Sequence, residues 1–237
     1  MVRMLAKVAI LAGGKGTRMS AFSNTPKVLL PLGGKPILVH QLEWLKEAGF
    51  ADVILCLGFQ AKQVQDALGD GGRYGLKINY QVETEPRGTA GAVKDLGDIA
   101  GDDLLVIYGD LFVGLDCQKL LDFHASHDGI ATLVVRKTDH PEDSDLAEVS
   151  EGGQISAIGR MERDGIFSEM GCAAIWVVRR VLIDRIPVSG MSDFARDIFP
   201  LAVKAGEKLM AYETSELVMD VGTPARYEKF NRLHGNS

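Results

Sequence analysis

Lys7-Val8-Ala9-Ile10-Leu11-Ala12-Gly13-Gly14-Lys15-Gly16-Thr17-Arg18-Met19 is the stretch whose reading decides the fold. Lys7 to Leu11 reads as a buried strand, and it runs into three glycines within four positions. Glycine has no Cβ, so backbone N–H groups there can approach phosphate oxygens closely. A glycine loop at the carboxyl end of a first strand is where open α/β sheets bind ligands. Arg18 adds a forked set of donors suited to a polyphosphate. Two familiar phosphate motifs do not fit. A dinucleotide fingerprint counted from Gly14 and Gly16 needs glycine where Met19 stands. A Walker A loop needs Ser or Thr where Gly16 follows Gly14-Lys15. Alone, the loop is equally well a tight strand-to-helix turn.

Beyond it, apolar runs alternate with stretches of helical spacing. Strands are expected at Asp52 to Leu57, Ile78 to Val82 and Leu104 to Tyr108. Helices are expected at Pro36 to Ala48, Gln60 to Leu68, Thr89 to Leu96 and Leu115 to His127. This alternation argues for an α/β fold with a mainly parallel sheet and helices on both faces. The second half is less regular. Ile130 to Arg136 and Ala173 to Val178 read as strands. Ala147 to Val149 and Ile155 to Ile158 flank Gly152-Gly153 as a hairpin. His140 to Asp145 reads as a loop, Phe194 to Lys204 as a helix, Lys208 to Tyr212 and Leu217 to Met219 as strands, and Pro224 to Leu233 as a terminal helix. No repeat or linker divides the chain, so one domain over residues 1–237 is expected, with no second domain.

A net charge of −6 leaves no electrostatic footprint for DNA or RNA. The apolar run near the N-terminus is too short for a membrane span and lacks a usual cleavage site. Three scattered cysteines, Cys56, Cys117 and Cys172, match no zinc spacing and suit a reducing compartment, so a cytoplasmic location is expected. The five histidines form no HExxH pattern and are expected to pack or face solvent.

Directly after the loop comes Ser23-Asn24-Thr25-Pro26-Lys27-Val28-Leu29-Leu30-Pro31-Leu32. Together the two segments resemble the signature of the sugar-1-phosphate nucleotidyltransferases, a GGxGTR(L/M) loop followed by PKxxxP. The resemblance extends over most of the chain. It implies a Rossmann-like, glycosyltransferase-A-like twisted sheet. It also implies an enzyme joining a nucleoside triphosphate to a sugar 1-phosphate with release of pyrophosphate.

Carried over by the resemblance, Leu11, Ala12, Gly13, Gly14, Gly16 and Thr17 would hold the triphosphate, with Arg18 clamping it. Lys27 would meet charge at the α-phosphate. Gln81-Val82-Glu83-Thr84-Glu85-Pro86-Arg87-Gly88-Thr89-Ala90-Gly91 resembles the second nucleotide segment, in the form most similar to guanylyltransferases acting on mannose or manno-heptose 1-phosphate. Glu83, Gly88 and Thr89 would therefore lie near the base; otherwise Thr89 is a helix cap. Asp110, behind the apolar run Leu104 to Tyr108, and Asp220, in Met219-Asp220-Val221-Gly222-Thr223-Pro224, would hold Mg²⁺. That ion prefers hard oxygen ligands and keeps some of its water.

On the sugar side the family's Glu-Lys-Pro segment is replaced by Ile158-Gly159-Arg160-Met161-Glu162, so the lysine is missing. Arg160 or Arg163 could supply its charge. Glu169 and Gly171 resemble the strand entry that lines the sugar. Three alternatives stay open: a uridylyl- or thymidylyltransferase, and a non-catalytic regulatory relative. The expected partners are an NTP and a sugar 1-phosphate, with no nucleic acid or membrane. Homo-oligomerisation is left open.

Overall fold

Val8, Ala9 and Ile10 are fully buried, and with their neighbours they form the strand Lys7–Leu11. In the computed structural model, which describes residues 7–17, 19 and 25–234, this strand pairs in parallel with Asp52–Leu57. Asp52–Leu57 pairs in parallel again with Lys77–Val82. Near-continuous apolar runs are what a strand buried on both faces requires. The class is α/β, as the alternation of runs implies.

The chain forms two compact units, one of residues 1–85, 107–117 and 216–237, the other of residues 86–106 and 118–215. The first unit carries the parallel strands Lys7–Leu11, Asp52–Leu57 and Lys77–Val82. Its helix Ile37–Glu47 buries Ile37, Leu38, Leu42 and Leu45 completely, the face expected from their spacing. The helix ends before Gly49, whose φ of 91° only glycine adopts readily. Gln41, on the same helix, is buried. Its amide donates to the carbonyls of Tyr108 and Leu111, both at 2.8 Å, and so fixes the backbone on either side of Gly109-Asp110. Leu111–Val113 pairs antiparallel with Val218–Asp220, with Leu111 opposite Asp220. Beneath them Met19, Leu32, Ile37, Val221, Tyr227 and Phe230 form one apolar cluster. The last two come from the helix Pro224–His234.

The second unit is mostly antiparallel. Met170–Arg179 pairs with Ala131–Lys137, and Ile155–Gly159 with Leu146–Val149, while Leu209–Glu213 lies parallel to Ala131–Lys137. Trp176, Phe194 and Phe199 pack as a buried aromatic cluster. Several boundaries differ from the sequence reading. The strand expected from Ala173 starts at Met170, and its register shifts between Cys172 and Trp176 around Ala174, which has a φ of 56°. A bulge of this kind hides the period-two signal. The helix expected over Phe194 to Lys204 is a π-turn, Phe194–Ile198, followed by the α-helix Phe199–Lys204. The Ile198 and Phe199 amides reach back five residues, to the carbonyls of Asp193 and Phe194, just ahead of Pro200, which has no N–H to donate. Short helices at Met161–Asp164 and Arg180–Arg185 were too brief for periodicity to reveal.

His124 and His127 share the hydroxyl of Thr132, each at 2.8 Å. Burial, and next the neighbouring His124, push His127 down to about 4. A histidine whose folded value lies below its unfolded value near 6.5 stays neutral in the fold while the unfolded chain takes up the proton. Its stabilising share is complete above about pH 6.5 and is lost as the pH falls toward 4. Urea midpoints measured across that window should fall with pH, and His127→Gln should flatten the slope. An identical slope in the variant would refute the assignment.

No helix among the described residues is long and apolar enough to cross a membrane.

Candidate active site

The glycine loop leaves its strand still tied to the neighbouring strand. Ala12 N–H donates to the Cys56 carbonyl at 2.8 Å, and Phe59 N–H to the Gly13 carbonyl at 3.2 Å. A Cβ on Gly13 would lie 2.9 Å from Glu83 Oε1, and one on Gly58 only 2.4 Å from the same oxygen. Two bare backbones therefore make room for the Glu83 carboxylate. Gly14 faces open space. Gly16 has a φ of 58°, and a Cβ there would sit 3.4 Å from Lys27 Cβ. The loop is anchored at its far side by buried Met19, whose N–H donates to the Gly16 carbonyl at 2.7 Å. Ala12, Gly14, Lys15, Gly16, Lys27 and Phe59 line one cleft; Leu11 and Thr17, expected beside them, do not line it. Arg18 lies outside the described residues.

Lys27 opens the 3₁₀ turn Lys27–Leu29, directly after Pro26. Its ammonium forms an ion pair with Asp110 Oδ2, and both side chains are largely shielded from water. Asp110 is held through its backbone as well, since its carbonyl accepts from Val221 N–H at 3.0 Å. Asp220, at the end of the partner strand, accepts from Gly222 N–H at 2.6 Å on Oδ1 and from the Arg226 guanidinium on Oδ2. The convergence is sharpest at Gly222. A Cβ there would fall 2.6 Å from Asp110 Oδ2, 2.8 Å from Asp220 Oδ1 and 3.3 Å from Lys27 Nζ. Residues distant in the chain thus share one point, which only a glycine can border.

Two carboxylates facing a common space are a fitting donor set for a hard divalent cation. No group of three or more His, Cys, Asp or Glu that could hold a metal ion gathers anywhere among the described residues, this site included. Further ligands for a cation would come from phosphate oxygens and water.

In the second unit, Gly88 starts the helix Gly88–Lys94 with a φ of 72°. A Cβ there would strike the Ser192 carbonyl at 2.5 Å. That carbonyl accepts from Ala90 and Gly91 N–H at 2.9 and 3.2 Å. Thr89 is not a helix cap. Its hydroxyl donates to Asp193 Oδ2 at 2.7 Å and accepts from Phe194 N–H at 3.0 Å, joining two chain segments. Of the sugar-side residues, Arg160 is bound by Asp145 at 2.8 Å. Arg163 is held by its neighbour Asp164 at 2.8 Å. Gly171 pairs opposite Arg136, and a Cβ on it would lie 3.1 Å from Thr138 Cβ. Glu169 stands 3.8 Å from Lys137 on the surface.

The sequence reading did not single out Gly222 or Arg226. Gly222 stands within the quoted Asp220 segment and Arg226 just beyond it, but a spacing of two and six residues from Asp220 across a helix start carries no periodic signal.

The family model described as nucleotidyl transferase matches residues 7–236. The chain is 32% identical over 218 residues to a mannose-1-phosphate guanylyltransferase of Mycobacterium tuberculosis, covering 91% of this chain and 60% of that protein. It spans about six-tenths of the length of the curated relatives it matches. A Bacillus anthracis structure with bound sucrose, provisionally assigned as a glucose-1-phosphate thymidylyltransferase, superposes with a TM-score of 0.86 at 26% identity, over 98% of this chain and 96% of that one. HddC from Yersinia pseudotuberculosis, complexed with GMP-PN, gives a TM-score of 0.79 at 25% identity, over 97% and 99%. From the quoted motifs to the match along nearly its whole length, the chain belongs to the nucleotidyl transferase family.

Proposed function

We propose that this chain transfers GMP from GTP to a mannose- or manno-heptose-type 1-phosphate, giving a GDP-sugar and pyrophosphate. The observation that carries the reading is the meeting of Lys27, Asp110 and Asp220 at Gly222, with Gly16 of the glycine loop against the Lys27 stem. The family match from 7 to 236 supports treating residues 1–237 as one nucleotidyltransferase domain. We assign the reaction to the cytoplasm, an assignment supported by the odd number of cysteines.

An oxygen of the sugar phosphate attacks the α-phosphorus. The bond to the bridging oxygen breaks, and its electron pair leaves on pyrophosphate. The nucleophile is already an anion, so no general base is required; positioning and charge compensation do the catalytic work. The loop amides from Gly13 to Thr17 bind the triphosphate, with Arg18; the Ala12 amide, expected among them, is already given to the Cys56 carbonyl. Asp110 and Asp220 would hold Mg²⁺, which when bound supplies positive charge to the phosphate oxygens. As the triphosphate enters, Lys27 exchanges its Asp110 partner for an oxygen of the α-phosphoryl group. The exchange is local, because a lysine stem is flexible and its ammonium is a point charge. Glu83, set against Gly13 and Gly58, has acceptor oxygens for the N1–H and 2-amino group of guanine. Gly88 and Thr89 join the nucleotide segment, and Glu169, Gly171 and Arg160 the sugar side, on the strength of the resemblance.

The test is a panel of nucleoside triphosphates against sugar 1-phosphates, read by pyrophosphate release. GTP should have the highest kcat/KM. If UTP or dTTP wins, the guanylyl assignment falls while family membership stands; if no pair releases pyrophosphate, the enzymatic reading falls.

A further inference from the structure

The two carboxylates at Gly222 are held in different ways. Asp110 has a lysine partner that the reaction needs elsewhere. Asp220 has partners with no such second duty: the Gly222 amide on Oδ1 and the Arg226 guanidinium on Oδ2. We propose that Arg226 is a positioning residue, which fixes the Asp220 carboxylate and thereby the affinity of the site for its divalent cation. The inference rests on the reading of Asp220 as a metal ligand.

Arg226 is well placed for this. It lies in the first turn of the helix Pro224–His234, two residues after Pro224. Its backbone N–H reaches the Thr223 hydroxyl at 3.4 Å. The next residue, Tyr227, is buried and donates its hydroxyl to the Pro31 carbonyl at 2.6 Å, and Phe230 is buried one turn further on. The helix is thus anchored by the core cluster, and the guanidinium hangs from a rigid base. The Arg226 side chain is itself about three-quarters shielded from water. A planar, permanently charged fork on a fixed stem restricts a carboxylate rotor more than a solvated lysine does.

A free carboxylate can turn about its terminal torsion, which is broad and shallow. Arg226 and the Gly222 amide occupy one oxygen each from the protein side, which fixes the plane of the group. The remaining lone pairs then face the space that Asp110 also faces. Partners that orient a metal ligand from behind typically control affinity by about ten- to a hundredfold.

The probe is Mn²⁺, which has a paramagnetic signal, titrated by electron paramagnetic resonance into the full chain with GTP present. Arg226→Met should weaken Mn²⁺ binding by about tenfold or more. Arg226→Lys, which keeps the charge, should recover part of that loss. In steady-state assays at saturating metal, the KM for the sugar 1-phosphate should move less than about twofold, since Arg226 is not assigned to that substrate. Thermal melts select whichever variant is folded. Unchanged Mn²⁺ affinity in a folded Arg226 variant, or a large rise in the sugar-phosphate KM alone, overturns the proposal. Asp220→Asn in the same titration separates the two layers. If it weakens Mn²⁺ binding and the Arg226 variants do not, only the positioning role fails. If Asp220→Asn also leaves binding unchanged, the metal-ligand reading fails and the proposal falls with it.

Discussion

Asp110→Asn should lower kcat by about a thousandfold, equivalent to about 4 kcal/mol of transition-state stabilisation, while the fold persists. Asparagine has nearly the shape of aspartate, so packing around the strand end is kept. The local backbone does not depend on the carboxylate, because Gln41 holds the carbonyls of Tyr108 and Leu111 and Val221 N–H holds that of Asp110. What is lost is charge. Lys27 is left without its anion, and one of the two hard oxygen donors beside Gly222 becomes a neutral amide. Asp220→Asn removes the other donor and leaves Arg226 facing an amide. Its effect should have the same direction. Initial rates at limiting Mg²⁺, with circular dichroism as the control for folding, decide the matter. Near-normal turnover in both variants under those conditions would dispose of the two-carboxylate site.

Much of this site was legible because its parts are short, contiguous and chemically unusual. The strand into Gly13-Gly14-Lys15-Gly16 is such a part, and so is Lys27 between Pro26 and a buried Val28. Asp110 and Asp220 could be paired only through the resemblance, since 110 residues separate them (220 − 110) and no local rule connects them. What brings them together is the antiparallel pairing of Leu111–Val113 with Val218–Asp220. That is a long-range contact: Leu217 to Met219 reads as a short strand, but its partner Leu111–Val113 is too short for alternation to show, and nothing local joins the two.

Other features stayed hidden for related reasons. Arg226 is an ordinary arginine on an amphipathic helix until its partner is known. Thr89 looks like a helix cap from its neighbours, yet its hydroxyl serves Asp193 and Phe194 across a long stretch of chain. The Ala174 bulge and the π-turn at Phe194–Ile198 break the two periodicities on which sequence reading depends. In the first unit Lys7–Leu11 and Asp52–Leu57 followed their pattern closely because they are almost continuously buried and carry near-unbroken apolar runs.

Lys27→Ala should lower kcat by about a hundredfold, about 3 kcal/mol, with little change in the KM for the nucleotide. Lys27 and Arg18 are both cations assigned by the resemblance to the triphosphate, but their expected contributions differ in timing. Before the nucleotide binds, Lys27 is neutralised by Asp110. Any ground-state attraction it offers to phosphate is therefore offset by the ion pair it gives up. In the proposed reaction, charge would build on the equatorial oxygens of the α-phosphoryl group as the sugar phosphate attacks, and the lysine would gain more from them than it lost. An interaction stronger in the transition state than in the ground state appears in kcat; one equal in both appears in KM. The close approach of Gly16 to the Lys27 stem allows the ammonium to cover this short range without displacing the loop. Arg18, in the loop that holds the triphosphate before reaction, should raise the nucleotide KM as well as lower kcat when replaced by alanine. Steady-state kinetics of the two variants, run with the same metal excess, separates the roles. If Lys27→Ala changes KM alone, Lys27 is a binding residue, and the exchange between Asp110 and the α-phosphoryl group is wrong.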